Sequence, residues 1–447
     1  MVKKVLHIVN KNALGGGIGT IINYLNQGLN EGEMKSDTLL TEYQRKENGY
    51  SESGDKNYIF RPKDSILETH DAQGNILKEE SHSHNNLENK LEDYDLIHVH
   101  GIPHYGILEH LQKIKSKPSS KKPKIINTAH SSVKQEFLAQ YENLKKDVGG
   151  GSEDSKEEFN SLKYLLNNNI LDDPSKFGET FWGSAIYRQE EIMTLSDSVQ
   201  HMNEAYKKKI INEYAAHENA HKHIVIPNGV KPVDSYVPRP KKKRIMFVGR
   251  FAKEKGVDEF MDSLPYLFEK HPDAEVKFVG GSKEKKEINK YKEDIKKNFE
   301  NHFKDKPEHN LEKILSKIHF TGWITDKKQL QKEYEWADYV INPSVAESFC
   351  LTASEALMYK RIPILTATDA LKDLYIDKGI ALGIDPKKRH GKGIAETLNK
   401  ILKKDSSEEY DELIEKGEKF VKENYSFNKM IDNQIKAYHN LTKEING

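Results

Sequence analysis

The chain has 447 residues, enough for two large domains or three ordinary ones, and its 70 Lys+Arg balance its 70 Asp+Glu. A formal net charge of zero provides no global field for coating nucleic acid. A single cysteine excludes a disulfide framework and cysteine-based zinc ribbons, and it fits a reducing compartment such as the cytoplasm.

Apolar residues make up 36% of the chain against 31% charged, and they come in short continuous runs. The first, VLHIV (5–9), ends at polar residues too soon for a signal-peptide core. No later run approaches the roughly 18 apolar residues that cross a bilayer. After VLHIV come Gly15, Gly16, Gly17, Ile18, Gly19 and Thr20, then a helical pattern in IGTIINYLNQGLN. Glycines after a strand let backbone amides approach a ligand, and a helix N-terminus attracts negative charge. The third glycine of the dinucleotide fingerprint and the Gly-Lys-Ser/Thr of a P-loop are both missing. The glycines therefore read as a generic anion or sugar loop, or as a tight turn.

DLIHV (95–99), KIIN (124–127) and HIVIP (223–227) continue the series of buried strands. Continuous rather than alternating hydrophobicity is what a parallel sheet covered on both faces requires. His98 and His100 share one face of their strand by the period of two. Residues 66–92 and 141–180 break the rhythm and read as insertions, with Gly149–Gly151 as a flexible point. NGVKPVDSYVPRPKKK (228–243) reads as a linker, after which the series restarts with RIMFVG (244–249), VKFVG (276–280), IHFTG (318–322), DYVINP (338–343) and IPIL (362–365). GVDEFMDSLPYLFEKH and SEALMYK read as helices of this second half. Strand-helix alternation throughout predicts an α/β fold of doubly wound sheets. A last amphipathic stretch spans residues 410–445 and predicts a long helix.

The second half carries the densest chemistry. In FVGRFAKEKG, Arg250 and Lys255 follow a strand, and in an open α/β sheet ligands bind beyond the C-terminal strand ends. Together they could hold a diphosphate, Arg250 as a planar fork and Lys255 as a compact charge. In NPSVAESFCLTASEALMYKRIPIL, Glu347 and Glu355 flank a strand-loop-helix junction, and carboxylates suit vicinal hydroxyls because each has two acceptor oxygens. Read alone, Glu355 is equally an ordinary charged helix start.

Gly249-Arg250, Glu254-Lys255-Gly256, Pro343-Ser344, Glu347-Ser348-Phe349-Cys350-Leu351 and Glu355-Ala356, in this order, resemble the donor-binding half of the retaining glycosyltransferases of family 4. The first half is more loosely similar through Gly16-Gly17, His98-Val99-His100, Thr128-Ala129-His130, Thr194-Leu195-Ser196 and Ile226-Pro227-Asn228-Gly229-Val230. The resemblance implies the GT-B fold: two Rossmann-like domains (1–230 and 231–425) facing across a cleft, with residues 426–447 crossing back to the first as a helix. It also implies that Arg250 and Lys255 bind the donor diphosphate, Glu355 the ribose and Glu347 the transferred sugar. Ser348, Phe349, Cys350 and Leu351 would complete the donor site, with Gly16 and Gly17 on the diphosphate side. His130 would face the donor sugar or the acceptor, and His100 would border the acceptor. The implied reaction is retaining transfer of a hexose or N-acetylhexosamine from a UDP-sugar first, a GDP-sugar second, to a hydroxyl of a glycan, lipid, protein or small metabolite. No essential metal or cofactor is expected. Cys350 and Lys360 stand where the family usually has glycine, which leaves the sugar open.

Three other patterns compete. His217-Glu218-Asn219-Ala220-His221 matches the zinc-protease H-E-x-x-H, but a strand begins two residues later and the following twenty residues offer only Asp234 as an acidic third ligand. Asp93-Tyr94-Asp95 mimics a metal-binding triplet but precedes a strand, so it reads as a loop. A non-catalytic sugar- or partner-binding protein could also retain the fold. The basic runs 113–124 and 238–244 would suit peripheral contact with an anionic membrane.

Overall fold

The computed structural model describes residues 2–10, 16–41, 43–50, 56–62, 65–70, 76–82, 87–118, 122–147, 153–178, 180–233, 237–281, 285–306, 310–405 and 408–443. Gly15, Gly149–Gly151 and Asp234 lie outside them. The chain divides into two compact units, residues 1–227 with 428–447, and residues 228–427.

The first unit is built on β1 (Lys4–Asn10), β2 (Lys35–Thr41), β3 (Tyr43–Tyr50), β4 (Lys56–Pro62), β5 (Ser65–His70), β6 (Ile76–His82), β7 (Leu96–His100), β8 (Lys124–Thr128), β9 (Ser198–His201) and β10 (His223–Val225). Its main sheet has the order β10-β9-β8-β7-β1-β2-β5-β6, and β3 pairs with β4 apart from it. The run from β10 to β2 is parallel, whereas β5 and β6 join antiparallel at the edge. Part of the stretch read as an insertion at 66–92 is therefore sheet, and it extends the sheet beyond its parallel core. β2 and β9 escape the sequence reading because KSDTLLT and SVQH carry too few apolar residues to stand out. The described part of residues 141–180 is mostly helix and turn, and its Leu144, Leu162, Leu165 and Ile170 share a core with Val133, Phe137, Ala185 and Ile186.

The second unit repeats the plan with β11 (Arg244–Gly249), β12 (Glu275–Gly280), β13 (Ile318–Gly322), β14 (Tyr339–Asn342), β15 (Ile362–Thr366) and β16 (Leu382–Ile384). Their order is β13-β12-β11-β14-β15-β16, all parallel. The order reverses beside β11, so the loops after β11 and β14 lie at the topological switch point where α/β sheets bind ligands.

The long terminal pattern is two helices, Glu408–Asn424 and Phe427–Lys443, interrupted at Tyr425-Ser426. The break follows from a pairing with Val230, whose N–H donates to Tyr425 and whose carbonyl accepts from Phe427. The linker is held in the same way. Arg361 is fully buried and gives its guanidinium to the carbonyls of Tyr334, Glu335, Lys360 and Val237. Only a planar fork reaches so many acceptors, and an ammonium would leave some carbonyls orphaned in the core. Arg361→Lys should lower stability by about 2–4 kcal/mol, read as a fall in the urea midpoint at unchanged slope.

Candidate functional site

In the second unit the chemistry converges on the loops after β11 and β14. The first loop turns through Gly256, whose φ of 67° is left-handed. A Cβ there would lie 2.2 Å from the Pro343 carbonyl, so only glycine lets the two loops touch. Val345 N–H donates to the Glu254 carbonyl at 2.9 Å and locks the loops together. Lys255 and Glu347 thus meet, Nζ to Oε1 at 2.6 Å, with side chains 25% and 12% exposed. The same oxygen accepts from Ser344 Oγ at 3.1 Å and Asn342 Nδ2 at 3.3 Å. Burial works against the Lys255 ammonium, but the Glu347 charge and hydrogen bond outweigh it and hold the proton more firmly than in an ordinary lysine. The site keeps a full positive charge there.

Arg250 sits apart from that pair, 61% exposed and bonded to Glu254 at 3.0 Å. Glu355 lies within the helix Leu351–Met358, and its Oε2 accepts from Tyr334 Oη at 2.6 Å. Burial raises its pKa and the Tyr334 bond opposes the rise. Its second oxygen is the one that can turn to a diol. Phe349 is buried against Tyr425 and Tyr375, so its backbone rather than its ring is what the loop can offer a ligand. Ser348 and Leu351 are half-buried at the same junction.

The two departures from glycine have a common cause. Cys350 (φ 66°) and Lys360 (φ 56°) are both left-handed, at the two ends of the helix Leu351–Met358. Lys360 closes a Schellman turn, its N–H on the Leu357 carbonyl and that of Arg361 on the Ala356 carbonyl, and its ammonium bonds Glu415 and Glu418. Cys350 is buried, with Sγ 3.3 Å from Thr352 Oγ1, and burial followed by the Glu347 charge pushes its thiol up to about 12. A thiol so held is protonated and unfit as a nucleophile.

In the first unit Gly16 caps the helix Gly17–Asn30 without a side-chain bond, and a Cβ on Gly16 would meet nothing within 4 Å. His7, His98, His100 and His130 form one cluster over β1, β7 and the end of β8. His7 Nδ1 is 2.9 Å from His100 Nε2, and His100 Nδ1 is 3.3 Å from His130 Nε2. His98 bonds Tyr438 Oη at 2.6 Å and Thr128 Oγ1. Burial is the first cause that lowers the pKa of His98, His100 and His130, the last to about 4.

The competing patterns have structural explanations. Asp95 accepts from the Lys3 and Lys4 amides, and Tyr94 donates to Asp37, so the triplet fastens β7 to its neighbours. His217 and His221 lie on a 3₁₀ segment, Ala216–Lys222, where a spacing of four does not share a face. Among the basic runs, Lys115 and Lys124 pair with Asp197, Lys117 with Glu92, Arg239 with Asp405, Lys241 with Asp411, Lys243 with Asp273 and Arg244 with Glu275. These acids offset much of the charge that a membrane would read. No helix among the described residues is long and apolar enough to cross one.

Residues 233–420 match the family model of the Glycosyl transferases group 1. An uncharacterized glycosyltransferase of Methanocaldococcus jannaschii is 24% identical over 196 residues, and that match spans 44% of each chain. Anabaena HepE, solved in complex with UDP, covers 98% of this chain and 100% of its own at a TM-score of 0.59 and 11% identity. The catalytic domain of starch synthase IV from Arabidopsis thaliana, bound to ADP and acarbose, covers 99% of each at a TM-score of 0.61 and 13% identity. The chain is a GT-B protein by fold. Its second domain is similar to the group 1 glycosyltransferases over the segment that holds Arg250, Lys255, Glu347 and Glu355.

Of the residues that hold the two glutamates, Ser344 enters the sequence reading only within Pro343-Ser344, and Tyr334 and Asn342 have no role in it, nor has His7. Asn342 and Ser344 flank Pro343 at a strand end, a position that could have flagged them. Tyr334 comes from a helix with no local signal.

Two measurements test this geometry. Cys350 should resist thiol reagents at pH 8 in the folded protein and react at once in urea. Acid should destabilise the fold early. Free histidine protonates near 6.5, whereas burial lowers His130 and His223 to about 4 and His201 to about 3. Between those values the unfolded chain binds more protons, so stability is complete above pH 6.5 and falls toward pH 4. The fall should be about 1.4 kcal/mol per pH unit for each of the buried rings His201 and His223 and less for the half-buried His130, measurable by urea titration at pH 7, 6 and 5.

Proposed function

We propose that the protein is a retaining glycosyltransferase of family 4, moving a hexose or N-acetylhexosamine from a UDP-sugar, or failing that a GDP-sugar, to a hydroxyl acceptor. The observation that carries this reading is the Lys255–Glu347 pair, set between tied loops beside Glu355 at the switch point of a parallel sheet. Lys255 has three donors and uses one on Glu347, so it can hold a phosphate oxygen while Glu347 offers its other oxygen to a sugar. Arg250 supplies the second cation, Glu355 binds the ribose, and Ser348, Phe349, Cys350 and Leu351 present backbone around the diphosphate. By the family resemblance alone, Gly16 and Gly17 of the first unit would serve the diphosphate, and His130 the sugar or acceptor with His100 behind it.

The reaction proposed is a front-face displacement. The bond from the sugar's anomeric carbon to the phosphate oxygen breaks, the acceptor oxygen bonds that carbon on the same face, and the acceptor proton passes to the leaving phosphate. Arg250 and Lys255 stabilise the charge that develops on the phosphate without a metal. The work on this reading is cytoplasmic, on an envelope glycan, glycolipid or glycoprotein acceptor.

Thermal unfolding in EDTA against UDP, GDP, ADP and CMP identifies the donor base. The right diphosphate at about 100 times its Kd adds about 2.7 kcal/mol. Arg250→Ala is the sharper kinetic variant, because an exposed side chain can be removed without unfolding the site. Its turnover should fall roughly 10²- to 10³-fold, and a full-rate enzyme would remove Arg250 from the mechanism.

A further inference from the structure

Tyr334 is pinned from several sides. It lies in the helix Lys327–Trp336, 1% exposed, and its ring packs against Met246, Val279, Val340 and Ala356. The Tyr359 ring lies flat on it, 4.8 Å away between centroids and 8° from parallel. Its carbonyl accepts from Arg361 Nε at 2.7 Å, and its phenol donates to Glu355 Oε2 at 2.6 Å. A ring enclosed in this way has one place in which to hold its hydroxyl.

Glu355 is half-buried in the helix Leu351–Met358 and has more freedom than that ring. Its last torsion is broad, and turning about it exchanges which oxygen faces a given direction. A bond to Oε2 from a fixed donor stops that turn and leaves Oε1 to the ribose. One carboxylate oxygen has two lone-pair sites, which is the number that two vicinal hydroxyls require. Burial raises the pKa of Glu355, and the Tyr334 bond opposes the rise. Burial and then the Glu355 charge raise the Tyr334 phenol well above its ordinary value, so it keeps its proton and stays a donor.

We propose that Tyr334 is a positioning residue for the ribose, holding the Glu355 carboxylate in the one orientation from which a single oxygen reads both hydroxyls. This rests on the reading above in taking Glu355 as the ribose ligand. It goes further in making ribose recognition depend on a buried residue 21 positions upstream, in a different helix. The same bond favours the ionised carboxylate, which accepts from hydroxyls without competing as a donor.

A role in packing alone makes a different demand. Phenylalanine at 334 would keep the stack on Tyr359, the apolar contacts and the backbone carbonyl that Arg361 uses. It would remove only the donor to Glu355.

The test uses the full chain and isothermal titration with UDP, 2′-deoxy-UDP and inorganic pyrophosphate from about pH 5 to pH 8. Wild type should prefer UDP to its 2′-deoxy form and lose UDP affinity in acid as Glu355 takes a proton. Tyr334→Phe should weaken UDP roughly threefold to tenfold at pH 7, the cost of fixing one loosened side chain on binding. It should also shrink the preference over 2′-deoxy-UDP, move the loss in acid to higher pH and leave pyrophosphate unchanged. Glu355→Gln still gives Tyr334 an oxygen to bond but turns an amide NH₂ to the ribose, so both the preference and the acid-dependent loss should disappear. Equal weakening of all three ligands in Tyr334→Phe, with the acid limb unmoved, would reduce Tyr334 to packing and overturn the proposal. Wild-type behaviour of Tyr334→Phe beside a Glu355→Gln that has lost the preference would also overturn it, while leaving Glu355 as the ribose ligand. Should Tyr334→Phe fail to fold, Glu355→Gln decides alone: a preference for UDP that survives in it removes the ribose role from Glu355 and from Tyr334 together. If wild type binds none of UDP, GDP and ADP, the transferase reading itself falls, a result separate from either variant.

Discussion

A carboxylate taken out of water must be answered by donors, and Glu347 organises the second unit around that demand. One of its oxygens takes the Lys255 ammonium, the Ser344 hydroxyl and the Asn342 amide. For Lys255 to arrive, the loop after β11 must pass against the Pro343 carbonyl, which requires Gly256, and its backbone must be tied to the loop after β14. For the helix behind Glu347 to start where Glu355 can be bonded by Tyr334, the chain must enter through a left-handed residue, here Cys350. The backbone strain and the half-buried ion pair are therefore parts of one arrangement. A pair of this kind adds little net stability by itself, because desolvation opposes attraction, but it fixes position.

The first unit meets a similar problem with neutral groups. Histidines under a parallel sheet would be expensive if charged, and burial removes the charge while leaving each ring a donor and an acceptor. The helix Phe427–Lys443 completes this environment by bringing Tyr438 onto His98 and Ile431 onto Gly28. A segment 340 positions away in sequence thus becomes part of the histidine cluster.

Strands buried on both faces were plain in the chain because RIMFVG or KIINT can be little else, and their helices follow from apolar spacing. Less apolar strands were not plain: KSDTLLT pairs with β1 because of where the sheet puts it, and edge strands β5 and β6 looked like an interruption. The apolar period of the terminal stretch carries through Tyr425-Ser426 and reads as one long helix, while the resemblance places the crossing at residue 426; the break itself comes from a pairing with Val230, distant in sequence. Arg250, Lys255, Glu347 and Glu355 were legible as a set through order and resemblance. Which of them touch was not, and the structure pairs Lys255 with Glu347 while Arg250 turns to Glu254.

By itself, then, the sequence determined the α/β class, the restart of the strand-helix series near residue 244 and the chemical types in the loops, since these depend on periodicity and composition within a few residues. It also held the oddity of Cys350 and Lys360 in glycine positions. Only the tertiary structure decided that both sit in left-handed backbone, that Tyr334 bonds Glu355 and that His7 bonds His100. The two hydrogen bonds join elements apart in the chain, and such geometry leaves no local pattern to read, while a left-handed backbone at a residue other than glycine leaves no mark in the residue type.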